Sequence, residues 1–252
     1  SISDAYLWRT DNGYKTTFKY TDILSLFYKI EDSYVELAFY SKDNDFIKNI
    51  FINKLDYSNE LLIDKDFLNG IVGYGVFYIS HRSDSYSGGD LLISNRCYVG
   101  FSVEDKLSSF VHGNLYAKYQ SFDGMYDGSD MVKSSFVNNL YKIQNSFINF
   151  TKSELFFVNP TSKKINFSIG SNSYSLENNC SILIDISGKE DILILSRCMF
   201  LRPIIFNYKD NFFDVYHAWH WNTIVSIDIL TQLEDREQSL VQSQTTVTTD
   251  TI

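Results

Sequence analysis

The sequence predicts an all-β protein made of two tandem, related antiparallel β-sandwich units of jelly-roll or Ig-like type. Aromatic residues make up 16% of the 252 residues and there are only two prolines, a composition that favours strands. Short runs that alternate apolar and polar residues are separated by turn-forming words, at spacings typical of a sandwich. Similar words recur in the same order in both halves of the chain, which indicates an internal duplication.

The clearest repeated word is an Arg-Cys pair inside an apolar stretch. It occurs at Arg96-Cys97 and at Arg197-Cys198, and each time an aromatic-rich run follows that ends in a histidine, His112 or His217. Three earlier words match in order: 14–18 with 132–136, 35–39 with 153–157, and 62–64 with 183–185. The order predicts units at 1–122 and 123–230, with an insertion near 65–90 in the first and a polar tail at 231–252.

In the first unit, turn words separate a series of short alternating runs. They predict strands at 5–9, 14–20, 34–40, 46–52, 61–63 and 76–79, with two or three more between 91 and 119. The segment 21–27 fits either a short helix capped by Thr21-Asp22 or a buried strand, because its periodicity matches both.

The second unit begins after a Gly/Asp-rich segment at 122–130. Its apolar residues between 132 and 147 recur at helical spacing, but the match with the first unit favours a strand there. Further strands are predicted at 154–158, 164–169, 173–176, 181–186, 191–196, 199–206 and 212–219.

The charge of the chain argues against several classes of partner. The net charge is −9 and there is no Lys/Arg cluster, so nucleic acid and anionic membrane surfaces are not expected partners. No apolar run is long enough to span a membrane. We therefore expect an acidic, soluble protein.

Cysteine usage gives the expected compartment. Cys97, Cys180 and Cys198 form an odd set without paired spacing, which is typical of small buried side chains. The N-terminus does not resemble a signal peptide. A cytoplasmic location is the expectation.

The four histidines suggest a metal site. His81, His112, His217 and His220 lie late in their units, and two facing units would bring His112 and His217 together with His81 and His220 as outer ligands. Imidazole suits zinc and other divalent transition metals. The alternative is that these are ordinary hydrogen-bonded histidines.

Arginine and tryptophan side chains suggest a ligand surface between the units. Arg96 and Arg197 sit in apolar runs, where each needs a carboxylate partner such as Asp64 or Asp185, or else lines a site for an anionic or sugar ligand. Trp8, Trp219 and Trp221 offer ring faces that stack on sugars, or they fill the core.

Three functions follow from these patterns. The first is a non-catalytic module that binds a glycan or other small polar ligand through Trp8, His81, Arg96, His112, Arg197, His217, Trp219 and Trp221. The second is an enzyme with a histidine-based, metal-assisted site between the units. The third is a structural protein whose aromatic residues form subunit contacts in a homo-oligomer.

Overall fold

The structure is a computed structural model, and it describes most of the chain. It covers residues 2–85, 94–95, 97–103, 108–121, 124–127, 134–143, 147–198, 201–210, 212–218 and 220–224. For residues 2, 94–95, 114–121, 124–127, 134–138 and 220–224 the backbone alone is described. The predicted tail at 231–252 lies outside these ranges.

The first half of the chain consists mainly of strands. They are β1 (Ile2–Arg9), β2 (Tyr14–Tyr20), β3 (Ser33–Ser41), β4 (Phe46–Ile52), β5 (Asn59–Ile63), β6 (Tyr74–Ser83), β7 (Ser94–Asn95), β8 (Tyr98–Val103), β9 (Ser109–His112), β10 (Asn114–Ser121) and β11 (Gly124–Asp127). A 3-10 turn spans Asp11–Gly13 and a helix, α1, spans Ile23–Tyr28.

The second half consists of strands in the described residues. They are β12 (Ser134–Ile143), β13 (Lys152–Val158), β14 (Ile165–Ile169), β15 (Asn172–Leu176), β16 (Ser181–Asp185), β17 (Ile192–Cys198), β18 (Ile204–Lys209), β19 (Phe212–His217) and β20 (His220–Ile224). The segment 134–143 is thus a strand despite the helical spacing of its apolar residues.

The open question about residues 21–27 is answered by α1. Asp22 caps the helix, because its side chain accepts a hydrogen bond from the backbone N–H of Ser25. Lys29 ends it in the left-handed conformation, with φ of 59°. In the described residues no helix is long and apolar enough to cross a membrane.

The strands form four sheets, which we number I to IV. Sheet I has the order β11-β10-β1-β6-β3-β4, with β7 added beside β1, and sheet II has the order β5-β2-β8-β9. Sheet III has the order β16-β13-β18-β19, and sheet IV has the order β15-β14-β17-β12-β20. All pairings are antiparallel except that of β7 with β1.

The prediction of an all-β antiparallel fold is confirmed, but the predicted arrangement as two sandwich units is wrong. The four sheets form a propeller-like, four-bladed arrangement. The physical reason is that the apolar cluster of the first half continues across the middle of the molecule. Phe156, Phe206 and Val215 of sheet III belong to the same buried cluster as Phe18 and Phe77.

Sheet III is buried on both faces. Its side chains Leu155, Phe157 and Ile205 point the other way and form a second buried cluster with Tyr141 and Ile194 of sheet IV. Successive residues of a strand face opposite sides of a sheet, so the unbroken apolar run at 155–158 is what a doubly covered strand requires.

Of the four repeated sequence words, 62–64 and 183–185 fall on strands of the same position, β5 at the edge of sheet II and β16 at the edge of sheet III, whereas the other three do not occupy matching strands. Residues 14–18 lie in β2 of sheet II, whereas 134–136 lie in β12 of sheet IV. Cys97 lies just before β8 of sheet II, whereas Cys198 ends β17 of sheet IV. Cys97 and Cys198 are buried and Cys180 is partly buried, and none of the three forms a disulfide bond in the described structure.

A different correspondence is visible in the strand order. Setting β7 and β11 aside, sheet I reads β10-β1-β6-β3-β4 and sheet IV reads β20-β12-β17-β14-β15. Sheets II and III likewise read β5-β2-β8-β9 and β16-β13-β18-β19. Each half therefore distributes nine strands, in chain order, over its two sheets in the same way.

Candidate functional site

His112 and His217 lie in contact where the edge strands β9 and β19 meet. The Nε2 atom of His217 is 3.0 Å from Nδ1 of His112 and 2.8 Å from the backbone oxygen of His112. Nδ1 of His112 is in turn 2.9 Å from the backbone oxygen of Gly113. The structure thus brings together the two histidines that the sequence placed opposite each other.

Two backbone carbonyl oxygens lie beside the facing ring nitrogens of this pair. Carbonyls only accept hydrogen bonds, so both are satisfied when Nε2 of His217 and Nδ1 of His112 each carry a proton, and in those tautomers the contact between the two nitrogens is not itself a hydrogen bond. His217 is buried, and its Nδ1 atom has no hydrogen-bond partner in the described structure. Burial, aided by Arg202 and His112, lowers the pKa of His217 to about 3, so the ring is neutral at pH 7.

Of the four histidines predicted to hold a metal, the structure describes a contact between two, His112 and His217. In the described residues there is no group of three or more His, Cys, Asp or Glu side chains that could hold a metal ion. His81 lies in β6 of sheet I, where burial lowers its pKa to about 3. His220 lies in β20, of which the backbone alone is described.

The other predicted ligand residues are spread over the molecule. Trp8 is 1% exposed and donates its indole N–H to the backbone oxygen of Tyr40, so it is a core residue rather than a ligand platform. Arg197 is exposed on β17, between the buried Ser196 and Cys198, and so does not need the ion pair that was expected inside the protein.

The remaining predicted residues cannot be placed at a site. Arg96 and Trp219 lie outside the described residues, and Trp221 is described by its backbone alone, opposite Lys142. Asp185 accepts hydrogen bonds from the backbone N–H and the hydroxyl of Ser187, and not from an arginine of the described residues.

A surface that the sequence did not single out is the outer face of sheet II. Three large apolar side chains are exposed on it: Tyr98 (53%), Leu62 (48%) and Phe110 (40%). We call these three residues and the polar residues between them the aromatic face. Apolar patches of this kind on a protein surface often mark interaction sites.

One row of the aromatic face crosses all four strands. Thr17 lies opposite Leu62 on one side and Gly100 on the other, and Gly100 lies opposite Phe110. A Cβ atom on Gly100 would be 2.4 Å from the ring of Phe110. The glycine therefore allows the phenyl ring to lie against the sheet.

The neighbouring row is more polar. Lys19 lies opposite Glu60 and Tyr98, and Tyr98 lies opposite His112 at the edge next to sheet III. The Nζ atom of Lys19 is 3.3 Å from Glu60 and 5.1 Å from the ring centre of Phe110. The row mixes charge with aromatic surface, as protein interfaces commonly do.

The outer face of sheet III has a different environment, because the first half covers it. Phe206 contacts the rings of Tyr14 and Phe101, and Phe156 contacts the ring of Tyr74. We call this contact between sheet III and the first half the junction.

A buried ion cluster lies within the junction. Arg9 of β1 is fully buried and binds Asp11 through two nitrogens, at 2.9 and 2.7 Å. Its Nη1 atom donates to Glu154 of β13 at 3.1 Å. The hydroxyl of Tyr208 donates to Glu154 at 2.9 Å and also contacts the hydroxyl of Tyr14.

The guanidinium of Arg9 also lies over two aromatic rings, 4.3 Å from the centre of Tyr14 and 4.7 Å from that of Phe206. Paired charge, hydrogen bonds and cation–π contact together compensate the cost of burying the guanidinium. The cluster joins the two halves of the chain.

In its described residues the second half exposes three large apolar side chains of its own, from three separate segments. Ile148 (49%), Leu193 (43%) and Phe212 (80%) are its large apolar side chains that are exposed in the described structure. Ile148 precedes β13, Leu193 is the second residue of β17, and Phe212 is the first residue of β19. We call these three residues the end surface.

Comparison with protein-family models, curated proteins and solved structures gives no match.

Alternation could have pointed to the aromatic face. In β8 the outward positions are Tyr98, Gly100 and Ser102, and in β2 they are Lys15, Thr17 and Lys19. A lone tyrosine or phenylalanine among such residues is common on a sheet surface, and the pairing that assembles them is not encoded locally. The end surface has no sequence signal of this kind, since its members come from three separate segments.

Proposed function

We propose that the protein is a structural component that acts by self-association through the aromatic face. This is the third of the functions that the sequence predicts. The observation that supports it best is the exposure of Leu62, Tyr98 and Phe110 together on one four-stranded sheet.

The composition of the face suits a protein partner. Tyrosine and phenylalanine are enriched at interface cores, and a small number of them usually carries most of the binding free energy. The salt bridge between Lys19 and Glu60 at its border is exposed and supplies a polar rim. The predicted metal-assisted enzyme has less support, since the described residues contain no group of three or more His, Cys, Asp or Glu side chains that could hold a metal ion.

The test is to measure molar mass against protein concentration by light scattering after size-exclusion chromatography. We expect the wild type to associate and Phe110→Asp to remain monomeric. Phe27→Asp is a matched control, because Phe27 is an equally large exposed side chain on α1. A wild type that stays monomeric at a protein concentration of about 100 μM, which is roughly 100-fold above a micromolar dissociation constant, would contradict the proposal.

Glycan binding is the second candidate, and the same two rings favour it. The faces of Tyr98 and Phe110 could stack on sugar rings while Lys19 and Glu60 bind hydroxyl groups. A glycan array with the wild type, Tyr98→Ala and Phe27→Ala tests this function. Binding that is lost in Tyr98→Ala alone, by a protein that is monomeric, would establish glycan recognition in place of self-association.

A further inference from the structure

The junction inside the chain has the geometry of a contact between repeated units. Sheets II and III have the same strand order, so each strand of one has a counterpart in the other. The pairing registers extend this to residues. His112 lies opposite Tyr98, the first residue of β8, and His217 lies opposite Ile204, the first residue of β18.

By the same registers, the outer face of sheet III is the counterpart of the aromatic face. Phe206 and Val215 are paired in sheet III as Gly100 and Phe110 are paired in sheet II. In sheet III this face is buried in the cluster of the first half. In sheet II the corresponding face is exposed, as the fractions for Tyr98 and Phe110 indicate.

The first half contributes three segments to the junction. They are the connection between β1 and β2, with Arg9 and Tyr14, the start of β6, with Tyr74, and the start of β9, with Ser109. The hydroxyl of Ser109 donates to Asp214 at 3.0 Å and accepts from the backbone N–H of Val215 at 2.9 Å.

The counterparts of these three segments in the second half carry the end surface. Ile148 lies between β12 and β13, Leu193 at the start of β17, and Phe212 at the start of β19. The chain therefore exposes both partners of a contact that it already makes once internally. Its apolar side chains are unburied at both places.

We infer that copies of this chain join head to tail, with the end surface of one copy seated on the aromatic face of the next. The inference rests on the proposed self-association and names its partner and its geometry. A contact between two different surfaces is heterologous, so it continues beyond a dimer, into a closed ring or an open filament.

The contact between copies is weaker than the junction. At the register position where sheet III has Phe156, sheet II has Lys19, and where sheet III has Phe206, sheet II has Gly100. The end surface also has Lys142 opposite Leu193, where the first half has the buried Arg9 opposite Tyr74. Fewer apolar groups are buried, so the assembly is reversible and depends on concentration.

Two variants and their mixture test the inference. Phe110→Asp puts a charge in the aromatic face and Phe212→Asp puts a charge in the end surface, while each variant leaves the other surface intact. We expect each variant alone to associate at least about 30-fold more weakly than the wild type, the effect of losing a central interface aromatic. Mixed in equal amounts, they should form a 1:1 heterodimer that grows no further.

Other outcomes separate this inference from the proposed function. A wild-type mass that stops at a dimer, or a Phe212→Asp variant that assembles like the wild type, would overturn head-to-tail joining and leave self-association standing. A monomeric wild type would overturn both. Circular dichroism and urea unfolding of the variants, with Phe27→Asp as control, verify that these exposed substitutions leave the fold intact.

Discussion

The buried ion cluster of the junction makes Glu154→Gln the most informative single substitution. Glutamine keeps the shape of the side chain but removes its charge, and its amide nitrogen cannot accept a hydrogen bond. Oε2 of Glu154 accepts from Arg9 and Tyr208, and Oε1 accepts from Lys152 at 2.7 Å. At least one of these hydrogen bonds is lost in the variant.

The expected loss of stability is about 2–3 kcal/mol at pH 7. Breaking a buried ion pair costs about 3–5 kcal/mol when the remaining charge has no partner. Arg9 keeps its two hydrogen bonds to Asp11, so the smaller cost of a lost hydrogen bond to a charged group, about 1.5–3 kcal/mol, is the closer guide.

The effect should depend on pH. Burial alone would raise the pKa of Glu154, but Arg9 and the hydrogen bonds outweigh burial and lower it from its ordinary value of 4.5. A carboxyl group whose pKa falls on folding stabilises the protein above its unfolded pKa. This stabilisation is lost as the pH falls through the folded pKa. The difference between wild type and variant should therefore shrink on going from pH 7 to pH 3.

Urea unfolding followed by tryptophan fluorescence measures this difference. Glu177→Gln is the matched control, because Glu177 pairs with Lys164 at 2.8 Å while their side chains are 66% and 53% exposed. Exposed pairs contribute about 0–1 kcal/mol. Equal free energies of unfolding for the two variants at pH 7 would refute the idea that the cluster holds the halves together.

Three further predictions follow from single positions. Gly75→Ala should lower the free energy of unfolding by about 2 kcal/mol or more, since a Cβ atom there would be 2.1 Å from a backbone oxygen; unchanged thermal stability would contradict this. Between pH 6.5 and 4.5 the wild-type free energy of unfolding should fall by up to about 1.4 kcal/mol per pH unit on account of His217, because the native ring resists protonation that the unfolded chain accepts. His217→Gln should remove this contribution; parallel urea-midpoint profiles for variant and wild type would argue otherwise. Native protein should show one thiol, Cys180, reacting with a colorimetric thiol reagent, and three in denaturant, since the other two cysteines are buried; three fast native thiols would be the contrary result.

The sequence predicted where the strands lie better than it predicted which strands pair with each other. Alternation located segments such as 14–20, 34–40 and 46–52 because burial on one face of a sheet imposes a period of two. Which strands become neighbours depends on contacts between distant segments. The match between Tyr14–Phe18 and the start of β12 misled for this reason, since the two segments share a local strand pattern while lying in sheets with different neighbours.

The residues of the candidate site were likewise predictable only in part from the sequence. The sequence placed His112 and His217 opposite each other, and they are in contact. It assigned buried arginines to Arg96 and Arg197 because their neighbours are apolar, yet strand alternation turns the Arg197 side chain outward and Arg96 lies outside the described residues. The fully buried arginine is Arg9, whose partner Glu154 lies far along the chain, so no local pattern could reveal it.

The place of β1 in sheet I has a consequence for biosynthesis. This first strand lies between β10 and β6, so its hydrogen-bonding edges have no partner until residues 74–83 and then 114–121 have left the ribosome. Vectorial synthesis thus keeps an apolar N-terminal segment unpaired while most of the first half is translated, a period in which nascent β proteins are prone to aggregate. The second half imposes the same delay on β12, which waits for β17 and β20. A stop codon ahead of residue 220 would therefore leave a central strand of sheet IV with one bare edge.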